Sequence, residues 1–192
     1  MEPIFTLPYS EFVVANELGK FFKKNKGYSI SIPLSRQQKG FDIILYNQKT
    51  KKAITIQVKS SRTYAGEIPK RKLKHERFKH YTWFNTFHIQ RGYSDYYILF
   101  GVYTKSIEKK KLDKSRKISK WYSHILLLFN EKEMTAFLEK LTTKTGNKQD
   151  SKFGFGFNDE KKIYLTRGAL KQPDISKYLF LNKIERIKKR LE

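Results

Sequence analysis

The residues of this chain whose types and spacing best suit chemistry are Asp42, Gln57 and Lys59. Gly40-Phe41-Asp42 is followed, after a polar stretch, by Ile54-Thr55-Ile56-Gln57-Val58-Lys59. In a strand, alternation puts Thr55, Gln57 and Lys59 on one face and Ile54, Ile56 and Val58 on the other, apolar one. Asp42 is expected to begin the preceding strand. A hairpin of the two would bring its carboxylate near the Gln57 carbonyl oxygen, a cluster of hard oxygen donors suited to Mg²⁺, with the Lys59 ammonium facing the same place. Phosphodiester hydrolysis needs these parts: a metal polarises the scissile phosphate and activates a water, and a lysine orients or deprotonates that water or stabilises the extra negative charge of the transition state. Taken alone, the pattern describes a solvated strand face equally well.

A further carboxylate lies upstream. From Ser10 to about Asn25 the apolar residues Val14, Leu18, Phe21 and Phe22 recur at helical spacing behind a serine suited to N-capping. Glu11 projects onto the middle of the stripe of Val14, Leu18 and Phe22, where a carboxylate is out of place, whereas Glu17 lies roughly 120° away around the wheel. The alternative for Glu11 is a first-turn acid that favours the helix dipole.

The elements that must position these groups are a helix and a short meander. Gly27 ends the helix, and Tyr28 to Pro33, Phe41 to Tyr46 and Ala53 to Lys59 read as strands, the last two joined by the turn-forming Asn47 to Lys52. Ser60 to Arg91 reads as a loop followed by helix or irregular structure. Asp95 to Thr104 and Ser123 to Phe129 are strand-like, and Asn130 can cap a helix through Met134, Phe137, Leu138 and Leu141. Phe153 to Phe157 reads as a strand or turn, and Ile184, Ile187 and Leu191 mark a short amphipathic helix. This order predicts an α/β (mixed α+β) fold in which a mixed central sheet is flanked by helices. One domain over 1–192 is expected, with its core at about 8–141, a basic loop at 105–120 and a C-terminal extension at 142–192.

Composition narrows the partner. Against 18 Asp and Glu stand 41 Lys and Arg, a formal charge of +23 that draws polyanions. Nucleic acid is therefore the first partner to expect and a membrane surface the second, but neither a lipidation signal nor a basic amphipathic helix opens the chain, so no membrane partner is expected. Lys70, Arg71, Lys72, Lys74, Arg77 and Lys79 stand beside Phe78, Tyr81, Trp83 and Phe84, a mixture suited to phosphate contact and base stacking, or to a solvated face with its aromatics in the core. Lys105 to Lys120 carries eight further Lys or Arg. There is no cysteine, which excludes disulfides, thiolate zinc sites and cysteine nucleophiles. His75, His80, His88 and His124 lack ligand spacing and read as surface or core residues. No secretory signal opens the chain and the longest apolar run, Tyr96 to Tyr103, is too short to cross a bilayer, so a cytoplasmic, nucleoid-associated protein is expected.

The stretch from Ser10 to Ser61, with Glu11-Phe-Val-Val-Ala-Asn-Glu-Leu18, Gly27-Tyr-Ser-Ile-Ser-Ile-Pro33, Phe41-Asp42 and Ile56-Gln57-Val58-Lys59-Ser60, resembles the PD-(D/E)xK nuclease superfamily. It looks most like the Holliday-junction-resolvase-like and intron homing endonuclease branches, some of which carry a Gln-x-Lys variant. The resemblance implies a restriction-endonuclease-like core and metal-dependent cleavage of DNA, of restriction, homing or junction-resolving type. Mg²⁺ would be the metal, with Mn²⁺ as the alternative. It implies that Glu11 is the first-helix acid, Asp42 the metal-binding aspartate, Gln57 the metal-site position usually held by Glu or Asp, and Lys59 the catalytic lysine. A homodimer or higher homo-oligomer is carried over with it. Two departures from the family pattern are that Phe41 rather than proline precedes Asp42, and that Gln57 is neutral. The competing functions are a DNA-binding protein that keeps the nuclease scaffold without cleaving, and a basic RNA-binding protein.

Overall fold

Alternation along the strands sorts the apolar side chains onto two faces of one sheet, and the two faces are covered differently. The computed structural model describes residues 9–33, 40–61, 78, 80–104, 122–143, 145–146 and 148–192. Five strands form the larger sheet: β1 (Tyr28–Ser31), β2 (Ile43–Asn47), β3 (Lys52–Ser60), β5 (Tyr96–Thr104) and β6 (Tyr122–Asn130), in the spatial order β1-β2-β3-β5-β6. β1, β2 and β3 make the expected antiparallel meander, β3 and β5 run parallel, and β6 returns antiparallel to β5. The fold is thus mixed α+β, with helices flanking a mixed sheet.

One face carries Ile43, Leu45, Ile54, Ile56, Val58, Ile98, Phe100, Leu126 and Leu128. Two helices cover it: α1 (Tyr9–Phe21) through Val14, Leu18 and the following Phe22, and α3 (Phe180–Leu191) through Phe180, Ile184, Ile187 and Leu191. A 13-residue helix is marginal by itself in water. Fully burying Val14 and Leu18, both 0% exposed, contributes roughly 1.5–3 kcal/mol each and holds α1 on the sheet. The helix ends at Phe21, four residues before the expected Asn25; Lys24–Lys26 form a 3₁₀ turn, and Gly27 leaves it in the left-handed conformation at φ 91°.

The opposite face carries Tyr97, Leu99, Ile125, Leu127 and Phe129. Helix α2 (Glu131–Glu139) packs here through Met134, Phe137 and Leu138, capped as expected by Asn130 in a reciprocal box with Glu133. A second, three-stranded antiparallel sheet completes this layer, in the order β4 (His80–Asn85), β7 (Lys152–Phe157), β8 (Tyr164–Arg167). Here the expectation for 60–91 is corrected, because 80–85 is a strand rather than helix or irregular structure. Its partners Phe153 to Phe157 lie some seventy residues downstream, so no local pattern announces the pairing. The two sheets approach closely at Gly101, where a Cβ would lie 2.8 Å from the Thr82 methyl carbon. Residues 142–192 therefore enter both cores: β7 and β8 complete the second sheet, and α3 covers the first.

Candidate active site

The candidate residues gather where β2 stops and β3 runs on. Ile43 and Ile56 are the last paired residues of the two strands, and β3 continues to Ser60. Asp42 precedes β2 rather than beginning it. Its N–H still donates to the Ile56 carbonyl at 2.9 Å, and its carboxylate Oδ2 accepts the Val58 N–H at 2.7 Å. The carboxylate thus does what another residue of β2 would have done, satisfying a backbone donor that the shorter strand leaves behind. The approach to Asp42 is pinned from the segment that precedes β5. The Ser94 hydroxyl donates to the Gly40 carbonyl, and Gly40 itself sits at φ 102° with Tyr93 against it, so that a Cβ would lie 2.4 Å from Tyr93 Cδ1. Both the backbone conformation and the close approach require glycine there.

Two opposite charges act on Asp42. Burial pushes its carboxyl above the usual aspartate value; the Val58 N–H opposes this, the negative charge of Glu11 adds to it and the Lys59 ammonium opposes it. The structure therefore brings Glu11, Asp42 and Lys59 within electrostatic reach of one another. Glu11 lies in the first turn of α1, half-buried, with the Ser10 hydroxyl donating to its Oε2 at 2.7 Å. Glu17 faces elsewhere: Lys20 lies 2.6 Å from it and His124 3.5 Å.

Gln57 and Lys59 stand on the face opposite α1. Their register partners in β5 are Tyr97 and Leu99, which belong to the second core. Lys59 Nζ lies over the Phe87 ring, 5.1 Å from its centroid, and Phe87 in turn stacks on Tyr97 at 6.3 Å. A half-buried ammonium is favoured over a ring face, which also limits where its stem can go. The Gln57 side chain is half-buried and makes no hydrogen bond among the described residues.

The donor set can be tested against a metal. Among the described residues no three His, Asp or Glu side chains converge. The charged oxygen donors are two, Glu11 and Asp42, which lie within electrostatic reach of each other. Mg²⁺ is commonly held by one or two carboxylates, with waters and substrate phosphates completing an octahedron, so this set fits it. A cation between the two carboxylates would also relieve the repulsion that helps raise Asp42.

Lys70, Arg71, Lys72, Lys74, Arg77 and Lys79 lie outside the described residues, as do His75 and the basic segment 105–120. His80 stacks between Tyr103 and Phe157, His124 lies against Phe100, and His88 is exposed. Asp95 was not foreseen. Its carboxylate accepts the Thr55 N–H at 2.8 Å and the Thr55 hydroxyl at 3.1 Å, pairs with Arg190 of α3, and its carbonyl takes the first N–H of α2 at 3.2 Å. It ties β3, β5, α2 and α3 together beside the site. All of these interactions are tertiary, and in the sequence Asp95 is visible only as the first residue of a strand-like run.

Family models and characterised proteins offer no match to this chain. Among solved structures it is similar to a bacterial homing endonuclease, I-Ssp6803I, at 11% identity and a TM-score of 0.40, over 97% of this chain and 99% of that one. Among the described residues, no helix is long and apolar enough to cross a membrane.

Proposed function

We propose that this protein is a Mg²⁺-dependent DNA endonuclease whose centre is built from Asp42, Glu11 and Lys59, with Gln57 beside them. The observation that carries the proposal is the position of Asp42: a carboxylate at a fork between two strands, pressed by Glu11 from the helix and by Lys59 from β3. Paired carboxylates cost stability unless they serve something, and a lysine held next to them suits an anionic reaction centre.

Mg²⁺ bound at this site would supply Lewis-acid polarisation of the scissile phosphate. Glu11 and Asp42 would hold it, with the Gln57 side-chain carbonyl as a neutral donor. Val58 fixes the orientation of Asp42 through its N–H, so the carboxylate is aimed before any ligand arrives. Lys59, its ammonium positioned over the Phe87 ring, offsets the negative charge that grows on the phosphoryl oxygens as the nucleophile attacks. The excess of 41 basic over 18 acidic residues supplies the field that collects the polyanion.

The neutral Gln57 favours one second reading, a DNA-binding protein on the same scaffold that does not cleave. Incubation with supercoiled plasmid and with a branched duplex, in Mg²⁺ and in a chelator, separates them. Cleavage confined to the Mg²⁺ samples supports the endonuclease. Binding without cleavage selects the second reading, and preference for RNA over DNA in competition contradicts both.

A further inference from the structure

A cavity of about 620 Å³ opens at the far end of the same strands, away from Asp42. The end of α1, the β2–β3 turn and the end of α3 enclose it. Five lysines line it, Lys20, Lys23, Lys26, Lys49 and Lys188, against the two carboxylates of Glu185 and Glu192. Lys20 and Lys188 each share a glutamate, Glu17 at 2.6 Å and Glu185 at 3.8 Å. Lys23, Lys26 and Lys49 form no ion pair among the described residues. Three like charges around one concavity repel one another, and a fold gains nothing from gathering them unless an anion comes between.

The walls are held in place. Asn47 Nδ2 donates to the Leu191 carbonyl at 3.1 Å and the Thr50 hydroxyl donates to the same oxygen at 2.5 Å, which fastens the end of α3 to the β2–β3 turn. The stem of Lys49 packs over Gly27, where a Cβ would lie 3.1 Å from Lys49 Cγ. Phe22 and Tyr28 add an apolar floor, in edge-to-face contact at 5.2 Å. The lysines thus stand on a rigid frame rather than on a free loop.

Its separation from the candidate centre follows from the elements that connect them. The five residues of β2 span about 17 Å at roughly 3.3 Å per residue. From Glu11 to Phe21 the helix rises about 15 Å at ~1.5 Å per residue. Both rulers run from the Asp42 end to the lysine cavity. At ~3.4 Å per base pair that distance is about four to five base pairs.

We infer that this cavity is a second phosphate-binding site, one that grips the DNA backbone about four to five base pairs from the bond to be cut. The inference rests on the proposal that DNA is the substrate. It assigns Lys23, Lys26 and Lys49 to phosphate binding, and it places the enzyme along the duplex rather than at the scissile bond alone.

The test is binding without cleavage. Fluorescence anisotropy with a labelled duplex in chelator, over a range of salt, is measured for the wild type, for Lys23→Gln/Lys26→Gln/Lys49→Gln, and for a control with equal charge loss on other exposed lysines, Lys132→Gln/Lys140→Gln/Lys161→Gln. Removing one lysine–phosphate interaction should flatten the slope of log Kd against log salt by about 0.9, so the slope of the cavity variant should fall by about two to three while that of the control falls by less than one. Thermal midpoints confirm that both variants fold, and a single Lys49→Gln variant, whose slope should fall by about one, stands in if the triple does not. Equal slopes in the cavity variant and the control overturn the inference. A wild type that binds no DNA overturns instead the endonuclease reading beneath it, so the two failures are told apart.

Discussion

The Asp42 carboxylate, one residue before β2 begins, accepts the Val58 N–H at 2.7 Å. That bond fixes the carboxylate, yet burial and Glu11 still hold its pKa above the ordinary aspartate value. The folded state therefore favours protonated Asp42. The stability this contributes is fully present below the unfolded value of 3.8 and is lost as pH rises through the raised folded value.

Asp42→Asn should accordingly be more stable than the wild type at neutral pH without metal, because Asn keeps an acceptor for Val58 and removes the buried charge. Each kcal/mol relieved raises the midpoint by about 2–4 °C for a chain of this size. The gain should shrink towards zero as pH falls below 3.8, and cleavage should be lost throughout. Mg²⁺ should raise the midpoint of the wild type more than that of the variant. A variant less stable than the wild type at pH 7 would mean that Asp42 is there for structure.

Glu11→Gln should reduce cleavage severely with little change in thermal midpoint, whereas Glu17→Gln should cost only the exposed pair with Lys20, about 0–1 kcal/mol, and leave cleavage intact. If Glu11 served only the helix dipole, its variant would lose about 0.3–1 kcal/mol and keep its rate. Cleavage rates and midpoints of the two variants decide between these outcomes.

Much of the candidate site's geometry was legible because it is local. The stripe of Val14, Leu18 and Phe22 marks the buried face of α1, and the alternation of Ile54, Ile56 and Val58 marks that of β3; these two patterns alone bring Glu11 towards Asp42. Legibility failed where partners are remote. β4 pairs with β7 across some seventy residues, and its sequence, His-Tyr-Thr-Trp-Phe-Asn, carries aromatic residues on both faces, so no polar alternation marks it. Asp95, Ser94 and Phe87 brace Thr55, Gly40 and Lys59 through interactions that exist only once β3 lies beside β5.

Gln57→Glu adds a charged oxygen of the same length to the donor set. If that side chain faces the ion, the Mg²⁺ concentration for half-maximal cleavage should fall. A higher requirement would show that the amide is needed as a hydrogen-bond donor, or that Gln57 faces away.

Lys183 of α3 is 3% exposed and paired with Glu133, which also caps α2 and meets Arg186 at 3.2 Å. Burial would raise Glu133, but the hydrogen bonds from Lys183 and Asn130 prevail and lower it, so its contribution is present above 4.5 and lost as pH falls through the lowered value. Lys183→Met should cost about 1.5–3 kcal/mol, since Glu133 keeps Arg186 and some solvent. Glu133→Gln should cost more, about 3–5 kcal/mol, because it strands a buried ammonium. The double variant should recover part of that loss in chemical denaturation; strictly additive losses would contradict the pairing.

The most direct measurement is single-turnover plasmid cleavage by the wild type and Lys59→Ala, with protein saturating and DNA affinity measured on the same samples in chelator. Expected are Mg²⁺-dependent cleavage by the wild type, a loss of at least about a hundredfold in the variant, and affinities within about twofold, because one charge among 41 contributes little to binding while an interaction made in the transition state controls the rate. Cleavage that survives in Lys59→Ala, or that falls only in step with affinity, would contradict a catalytic centre built on Asp42 and Lys59.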